Sequence, residues 1–353
     1  VKTDLFDYSL PENLIALHPP QERDGGRLLT LRLEKEGVEH GWVRSLPFAL
    51  VPGTLLVLND TRVIPARLRG TRPTGGAVEI LLVRALEEGE KTARWSALLR
   101  AGKPLRPGDE VHVSGCRVLI ESRGQRGEAN LLFDLSGADL RQLIRDVGEV
   151  PLPPYIRRAN VPSDAQRYQS VFARFDGSVA APTASLHFTP AMLEVARSRG
   201  VELAFVTLHV GPGTFRPIAA EDTSEHVMDA EQYVIGEPTA AAIRCAKNEG
   251  RKVIAVGTTV TRALEGAASP RGELEACSGE TRLFIEPGYE FRIIDGLLTN
   301  FHLPRSTLLC LVSALVGREK LLSAYAEAVS QSYRFYSYGD AMLIAPSSAV
   351  LES

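Results

Sequence analysis

Apolar positions come in short solid runs in one part of this chain and in broken, turn-punctuated runs in another. Residues 54–58 (Thr-Leu-Leu-Val-Leu) are continuously apolar and end in Asn59-Asp60-Thr61-Arg62, the pattern of a buried strand running into a polar loop. Between 67 and 134 the runs become short, at 77–84, 95–100, 111–113, 117–121 and 130–133, and turn-rich segments at 73–76, 87–90, 104–109 and 123–127 separate them. That spacing predicts an all-β module. A helix at 139–147 follows, with Gly148 predicted to stop it in the left-handed conformation, and then Pro151-Leu152-Pro153-Pro154-Tyr155, which cannot continue a helix.

Beyond Thr189 the period changes again. Thr189 as N-cap, Pro190 at the first helical position and Gly200 as stop predict a helix, followed by a strand at 201–210 on which Phe205, Thr207 and His209 share one face. A second cycle runs from a helix between Pro238 and Gly250 to a strand at 252–256, and Gly257-Thr258-Thr259 opens another helix. Strands are predicted at 283–285 and 293–298, and a helix buried nearly all round at 306–316. The predicted fold is an α/β main domain with a mixed or barrel-like sheet, formed by residues 1–66 and 151–353, into which a smaller all-β, barrel-like domain, 67–150, is inserted.

Length supports two domains, because 353 residues exceed what one core usually organises. An apolar fraction of 44% and a charged fraction of 24% describe a globular chain, with no apolar stretch long enough to span a bilayer. The first residues carry charges and lack the apolar region of a secretory signal. Cys116, Cys245, Cys277 and Cys310 are widely spaced, with no metal-ligand spacing, so buried, reduced thiols and a cytoplasmic location are expected. The net charge of −3 hides an asymmetry: between Arg67 and Arg126 there are twelve Lys or Arg against seven Asp or Glu.

Three histidines stand in islands of small and polar residues, His187 in 181–189, His209 in 206–215 and His302 in 299–307. Histidine exchanges protons near neutrality, and three in matched surroundings suggest one shared pocket. Gly211, Gly213 and Thr214 after one predicted strand, and Thr258 and Thr259 after Gly257 at the end of another expected to neighbour it, suit a polar, nucleoside-sized ligand, although neither turn has a Walker lysine or a dinucleotide fingerprint. Asn59, Arg62 and Arg67 offer amide and guanidinium groups for a carboxylate, ribose or phosphate. No nucleophile elbow and no zinc helix occur, which leaves acid–base or leaving-group chemistry without a metal.

Six segments, 59–68 (Asn-Asp-Thr-Arg-Val-Ile-Pro-Ala-Arg-Leu), 151–156, 180–189, 206–215, 299–308 and 333–342 (Tyr-Arg-Phe-Tyr-Ser-Tyr-Gly-Asp-Ala-Met), closely resemble the S-adenosylmethionine:tRNA ribosyltransferase-isomerase family of queuosine biosynthesis, in the same order and over almost the whole chain. The resemblance implies transfer and isomerisation of the ribosyl part of S-adenosylmethionine onto 7-aminomethyl-7-deazaguanine at the wobble position of tRNA. Epoxyqueuosine-tRNA, adenine and methionine are the products. It further implies that S-adenosylmethionine is consumed as a substrate, that no cofactor or metal is needed, that the insert is a candidate tRNA contact, and that the partners are tRNA and S-adenosylmethionine, with no membrane and a monomeric chain. Two departures stand out: Ser185 replaces a glycine, and the family's His-x-Met-His-x-Glu appears as His226-Val227-Met228-Asp229-Ala230-Glu231.

The positive sulfur of S-adenosylmethionine acidifies the neighbouring ribose C5′ hydrogen, so a neutral imidazole or a carboxylate can remove it, and departing adenine gains from a proton. His187, His209, His302 and Asp295 are therefore the catalytic candidates. Thr183, Ser185, Arg262, Asn300 and Arg305 join Asn59, Arg62, Arg67, Gly211, Gly213, Thr214, Thr258 and Thr259 as substrate-binding candidates. A non-catalytic tRNA-binding protein and a diverged enzyme acting on a free nucleoside are the alternatives.

Overall fold

Solid apolar runs become central strands because Leu55–Asn59, Val253–Val256, Gly296–Asn300 and Ala341–Ala345 are buried along their whole length, covered on both faces. In the computed structural model, which describes residues 1–351, the chain opens with β1 (Arg27–Arg32), β2 (Glu39–Trp42), the short helix α1 (Leu46–Ala49), β3 (Leu55–Asn59) and β4 (Thr61–Val63). It then forms β5 (Arg67–Thr71), β6 (Ala77–Glu88), β7 (Ala93–Ala101), β8 (Glu110–Val113), β9 (Cys116–Arg123), β10 (Glu128–Phe133) and α2 (Gly137–Val147). The remainder alternates: α3 (Asp164–Arg167), β11 (Phe175–Ser178), α4 (Pro190–Ser198), β12 (Glu202–Leu208), β13 (Glu231–Ile235), α5 (Glu237–Asn248), β14 (Val253–Val256), α6 (Thr258–Ala267), β15 (Cys277–Thr281), β16 (Gly296–Asn300), α7 (Thr307–Val316), α8 (Arg318–Ser330) and β17 (Ala341–Ala345).

Nine strands form one mixed sheet in the order β15-β13-β12-β3-β14-β16-β17-β1-β2, with β12, β3, β14 and β16 mutually parallel. The period of two sorts their side chains: Leu55 and Val57 of β3 and Val253 and Ala255 of β14 enter one core, Leu56, Leu58, Ile254 and Val256 the other. The first core is covered by α5, α6, α7 and α8 through Ile243, Leu264, Val312 and Tyr325, and the second by α4 and α1 through Leu193 and Leu46. No helix among the described residues is long and apolar enough to cross a membrane.

The insert is a closed antiparallel barrel, β10-β7-β6-β5-β8-β9, filled by Leu68, Ile80, Val111, Ile120 and Phe133 and plugged by Leu140 and Ile144 of α2. Its two ends are clasped together, since Arg67 and Glu149 exchange both backbone hydrogen bonds at 3.1 and 2.8 Å.

Several expectations need correction. Gly148 is not left-handed (φ −75°); it is glycine because a side chain there would collide with the carbonyls of Pro65 and Ile144. Residues 283–285 form no strand: Leu283 donates its N–H to the Thr281 hydroxyl and accepts from Arg262, so side chains replace a ladder. The strand predicted from 293 begins at Gly296, because the carboxylate of Glu265 takes the N–H groups of Arg292, Ile293 and Ile294 at 2.9–3.1 Å. The strand predicted at 201–210 pairs only to Leu208, where the Asn59 amide takes over its N–H and C=O. The strands carrying Gly211 and Gly257 are not neighbours, since β3 lies between them. All four cysteines are free, but Cys245 is exposed, not buried.

Candidate active site

Parallel strands end at the same edge, so β3, β12, β14 and β16 bring the segments 59–62, 209–214, 257–259 and 300–302 to one side of the sheet. Asp295 lies at the other side, at the start of β16. There it accepts from the N–H of Val253 and faces Lys247 and Lys252 at 3.8 and 3.7 Å, roughly 16 Å along the strand from Asn300 at about 3.3 Å per residue. Its catalytic candidacy fails on that placement.

The three histidines do not share one pocket. His187, on a single 3-10 turn (Thr183–His187), is buried and receives a 3.1 Å hydrogen bond at Nε2 from the Asn300 amide, which leaves the ring proton on Nδ1. Burial pushes its pKa down to about 4. The ring faces a void of only about 10 Å³ beside Arg23 and Tyr338. His302 is also buried, its pKa pushed down by desolvation to about 3, with Nε2 2.8 Å from the Thr299 hydroxyl. Its backbone is fixed by the Tyr325 and Tyr8 hydroxyls at 2.9 and 2.5 Å, and it lines a void of about 30 Å³ with Thr183, Thr214 and Asn300.

His209 differs. It is half-buried just past β12, its Nδ1 2.8 Å from the Thr61 hydroxyl, and burial lowers its pKa while Asp176 opposes the shift. It lines a cleft of about 720 Å³ between the sheet edge and the barrel. Arg62 and Asp176 stand on the sheet side, and Arg84, Trp95 and Arg141 on the barrel side. Gly177 lies directly under the imidazole, where any side chain would strike the ring.

A fourth cavity, of about 190 Å³, shares wall residues with two of these spaces, Gly211 with the large cleft and Thr214 with the void at His302. Arg262 and Glu231 form a buried ion pair at 2.5 Å in its wall, and the Thr214 hydroxyl donates to Glu231 at 2.8 Å. The binding candidates thus divide. Arg62, Thr183, Gly211, Gly213, Thr214, Arg262 and Asn300 line these spaces. Ser185, Thr258 and Thr259 are buried and line none of them. Asn59 is consumed by backbone, accepting from Thr61 and Leu208 and donating to Leu208. Arg67 reaches the Leu152 carbonyl at the domain junction, and Arg305 (φ +55°) serves through its backbone, donating to Phe6 and accepting from Ile218.

Five of these candidates hold a buried polar atom without a partner: Arg67 Nε, Ser185 Oγ, Thr259 Oγ1, Asn300 Oδ1 and Arg262 Nη2. Each costs about 1–3 kcal/mol when left unpaired, an expense native folds avoid away from sites that await a ligand. Sequence reasoning missed Trp95, whose indole N–H is buried and unpartnered at the cleft wall; only its apolar strand context was legible. It also missed the role of Asp60, buried beside His209's hydrogen-bond partner, its pKa raised by desolvation while the Thr207 hydroxyl donates to it at 2.7 Å. Among the described residues no three His, Cys, Asp or Glu side chains cluster as a metal site.

Residues 3–344 match the family described as "Queuosine biosynthesis protein". The S-adenosylmethionine:tRNA ribosyltransferase-isomerase of Citrifermentans bemidjiense is 52% identical over 96% of this chain and 98% of its own length, and that of Sorangium cellulosum 50% identical over 98% of both. The crystal structure of S-adenosylmethionine tRNA ribosyltransferase from Thermotoga maritima, 37% identical, covers 96% of this chain and 99% of its own with a TM-score of 0.55.

Proposed function

The chain belongs to the S-adenosylmethionine:tRNA ribosyltransferase-isomerase family of queuosine biosynthesis, and from that membership we infer that it is the transferase that moves and isomerises the ribosyl moiety of S-adenosylmethionine onto 7-aminomethyl-7-deazaguanine in tRNA, releasing adenine and methionine. The observation that carries the reading in the geometry is the cleft of about 720 Å³ at the carboxyl edge of the parallel strands, within the range that holds a nucleotide-sized ligand. Voids of about 30 and 10 Å³ at His302 and His187 cannot hold one.

His209 is therefore the proton-transfer group. The Thr61 hydroxyl holds Nδ1 at 2.8 Å, and in the tautomer that donates Nδ1–H to it Nε2 keeps the lone pair a base needs. Its lowered pKa keeps the ring neutral at physiological pH, as a base requires. Removal of the C5′ hydrogen leaves a sulfur ylide; opening of the sugar ring gives a vinyl sulfonium and, as adenine leaves with a proton, an aldehyde at C1′. The aminomethyl nitrogen adds to C4′, the renewed ylide carbon C5′ closes onto the aldehyde, and the resulting alkoxide displaces methionine by breaking the C5′–S bond to form the epoxide. His187 and His302, buried and neutral, act as fixed hydrogen-bonding groups that hold Asn300 and Thr299 in place at the strand end. S-adenosylmethionine is consumed, and the reading calls for no separate cofactor or metal. A tRNA substrate places the protein in the cytoplasm, where it works as a single chain with the barrel against the RNA.

The test is adenine release. Purified protein with S-adenosylmethionine and tRNA carrying the deazaguanine should liberate adenine in step with RNA modification. Binding without release would make it a tRNA-binding protein, and release with the free base alone would make it a nucleoside enzyme.

A further inference from the structure

The cavity of about 190 Å³ has walls of both charges and is too small for a nucleoside. Arg216 and Arg126 are its cationic side chains apart from the Arg262–Glu231 pair, and Glu225 and Asp229 its anionic ones. Arg126 comes from the barrel, on the hairpin between β9 and β10. That hairpin holds Arg126 at φ +53°, a conformation rare for a residue with a side chain, and no ion pair or hydrogen bond of Arg126 exists among the described residues. Asp229 meets Arg216 only at 3.7 Å and packs against Gly213, where any side chain would collide with its carboxylate. Arg262, 3% exposed, keeps Nη2 unpartnered in the same wall.

A small space with separated cationic and anionic walls and spare donors matches a zwitterion, and S-adenosylmethionine carries one at the end of its methionine chain. We propose that this cavity binds the α-amino-carboxylate of S-adenosylmethionine, with Arg126 of the inserted barrel on the carboxylate and Asp229 on the ammonium. The inference rests on the reading of S-adenosylmethionine as substrate. Gly211, in the walls of both this cavity and the large cleft, then marks where the sulfur lies. The sugar carbon next to it falls on the His209 side, and the barrel contributes to the small substrate as well as to RNA. The position where the family has a second histidine is thereby given a function for aspartate in this chain.

Titration calorimetry on the full chain tests this with three probes: S-adenosylmethionine, methionine, and 5′-methylthioadenosine, which keeps the nucleoside but lacks the amino-acid tail. Arg126→Gly relieves the positive φ, so it removes the guanidinium without straining the hairpin. It should weaken S-adenosylmethionine about tenfold or more and leave methylthioadenosine unchanged, with Arg126→Lys recovering part of the loss. Asp229→Asn should do the same and abolish competition by methionine. Equal loss for both nucleosides, no loss for either, or a loss confined to tRNA binding, as for a guanidinium that serves a phosphate, each overturns the proposal. Wild-type protein that binds S-adenosylmethionine no better than methylthioadenosine sinks the tail pocket alone, whereas binding of neither sinks the functional reading with it.

Discussion

The barrel and the carboxyl edge of the main sheet handle polar groups in opposite ways. On the barrel, arginines are paired locally: Arg69 with Glu149, Arg94 with Glu87 and Glu121, Arg117 with Glu110, Arg141 with Glu88. Of the cations beyond these pairs, Arg84 meets Glu280 of the main domain and Arg72 donates to the carbonyls of Lys103 and Pro104. At the sheet edge, by contrast, Ser185, Thr259, Asn300 and Arg262 are buried with polar atoms unpaired. Among these, Asn300 and Arg262 also line cavities, so their spare polar atoms are placed where a ligand could satisfy them. On the barrel Trp95 Nε1 and Arg67 Nε are likewise buried without a partner, and Trp95 and Arg126 line cavities shared with the main domain.

Removing the cleft's base should break the contrast most severely. His209→Ala is expected to lower kcat by roughly 10²–10⁴-fold, about 3–5 kcal/mol of barrier, with the melting temperature little changed. Single-turnover adenine release measures it, and a near-normal rate would move the base elsewhere.

Arg262→Met comes next, as a stability change. It leaves Glu231, 3% exposed, without its cation, and should cost about 3–5 kcal/mol in denaturant unfolding. Acid should expose the histidine difference. His187 and His302 have folded pKa values of about 4 and about 3, below the unfolded value, so the unfolded state binds their protons first. Their contribution is complete above about pH 6.5 and falls as pH drops toward 4 and 3. His187→Gln should flatten that fall in pH-dependent melting curves. The acid limb of kcat/KM, set by His209 with its lowered pKa, should likewise lie below 6.5. At the small end, Arg117→Ala removes an exposed barrel pair and should shift unfolding by no more than about 1 kcal/mol. A large loss there would erase the distinction between the two regions.

Much of the architecture was legible because it is local. Thr189 and Pro190 start a helix through a hydroxyl accepting from Met192 and a fixed φ, and Ser306 caps α7 in the same way. The barrel's alternation and turns depend only on neighbours along the chain. What escaped were elements held by distant side chains. Glu265 binds three N–H groups that a strand would otherwise have used, and β1 and β17 gain their places from each other across almost the whole length of the chain.

The sequence by itself determined the family, the insertion of a β module and the islands that hold the chemistry, because motifs and periodicities survive in one dimension. Only the tertiary structure separated the histidines. In the chain, His187, His209 and His302 look alike. In space, strand order and the barrel's docking leave one beside a nucleotide-sized cleft and seal the other two in voids, since burial and cavity shape are set by contacts between residues more than a hundred positions apart.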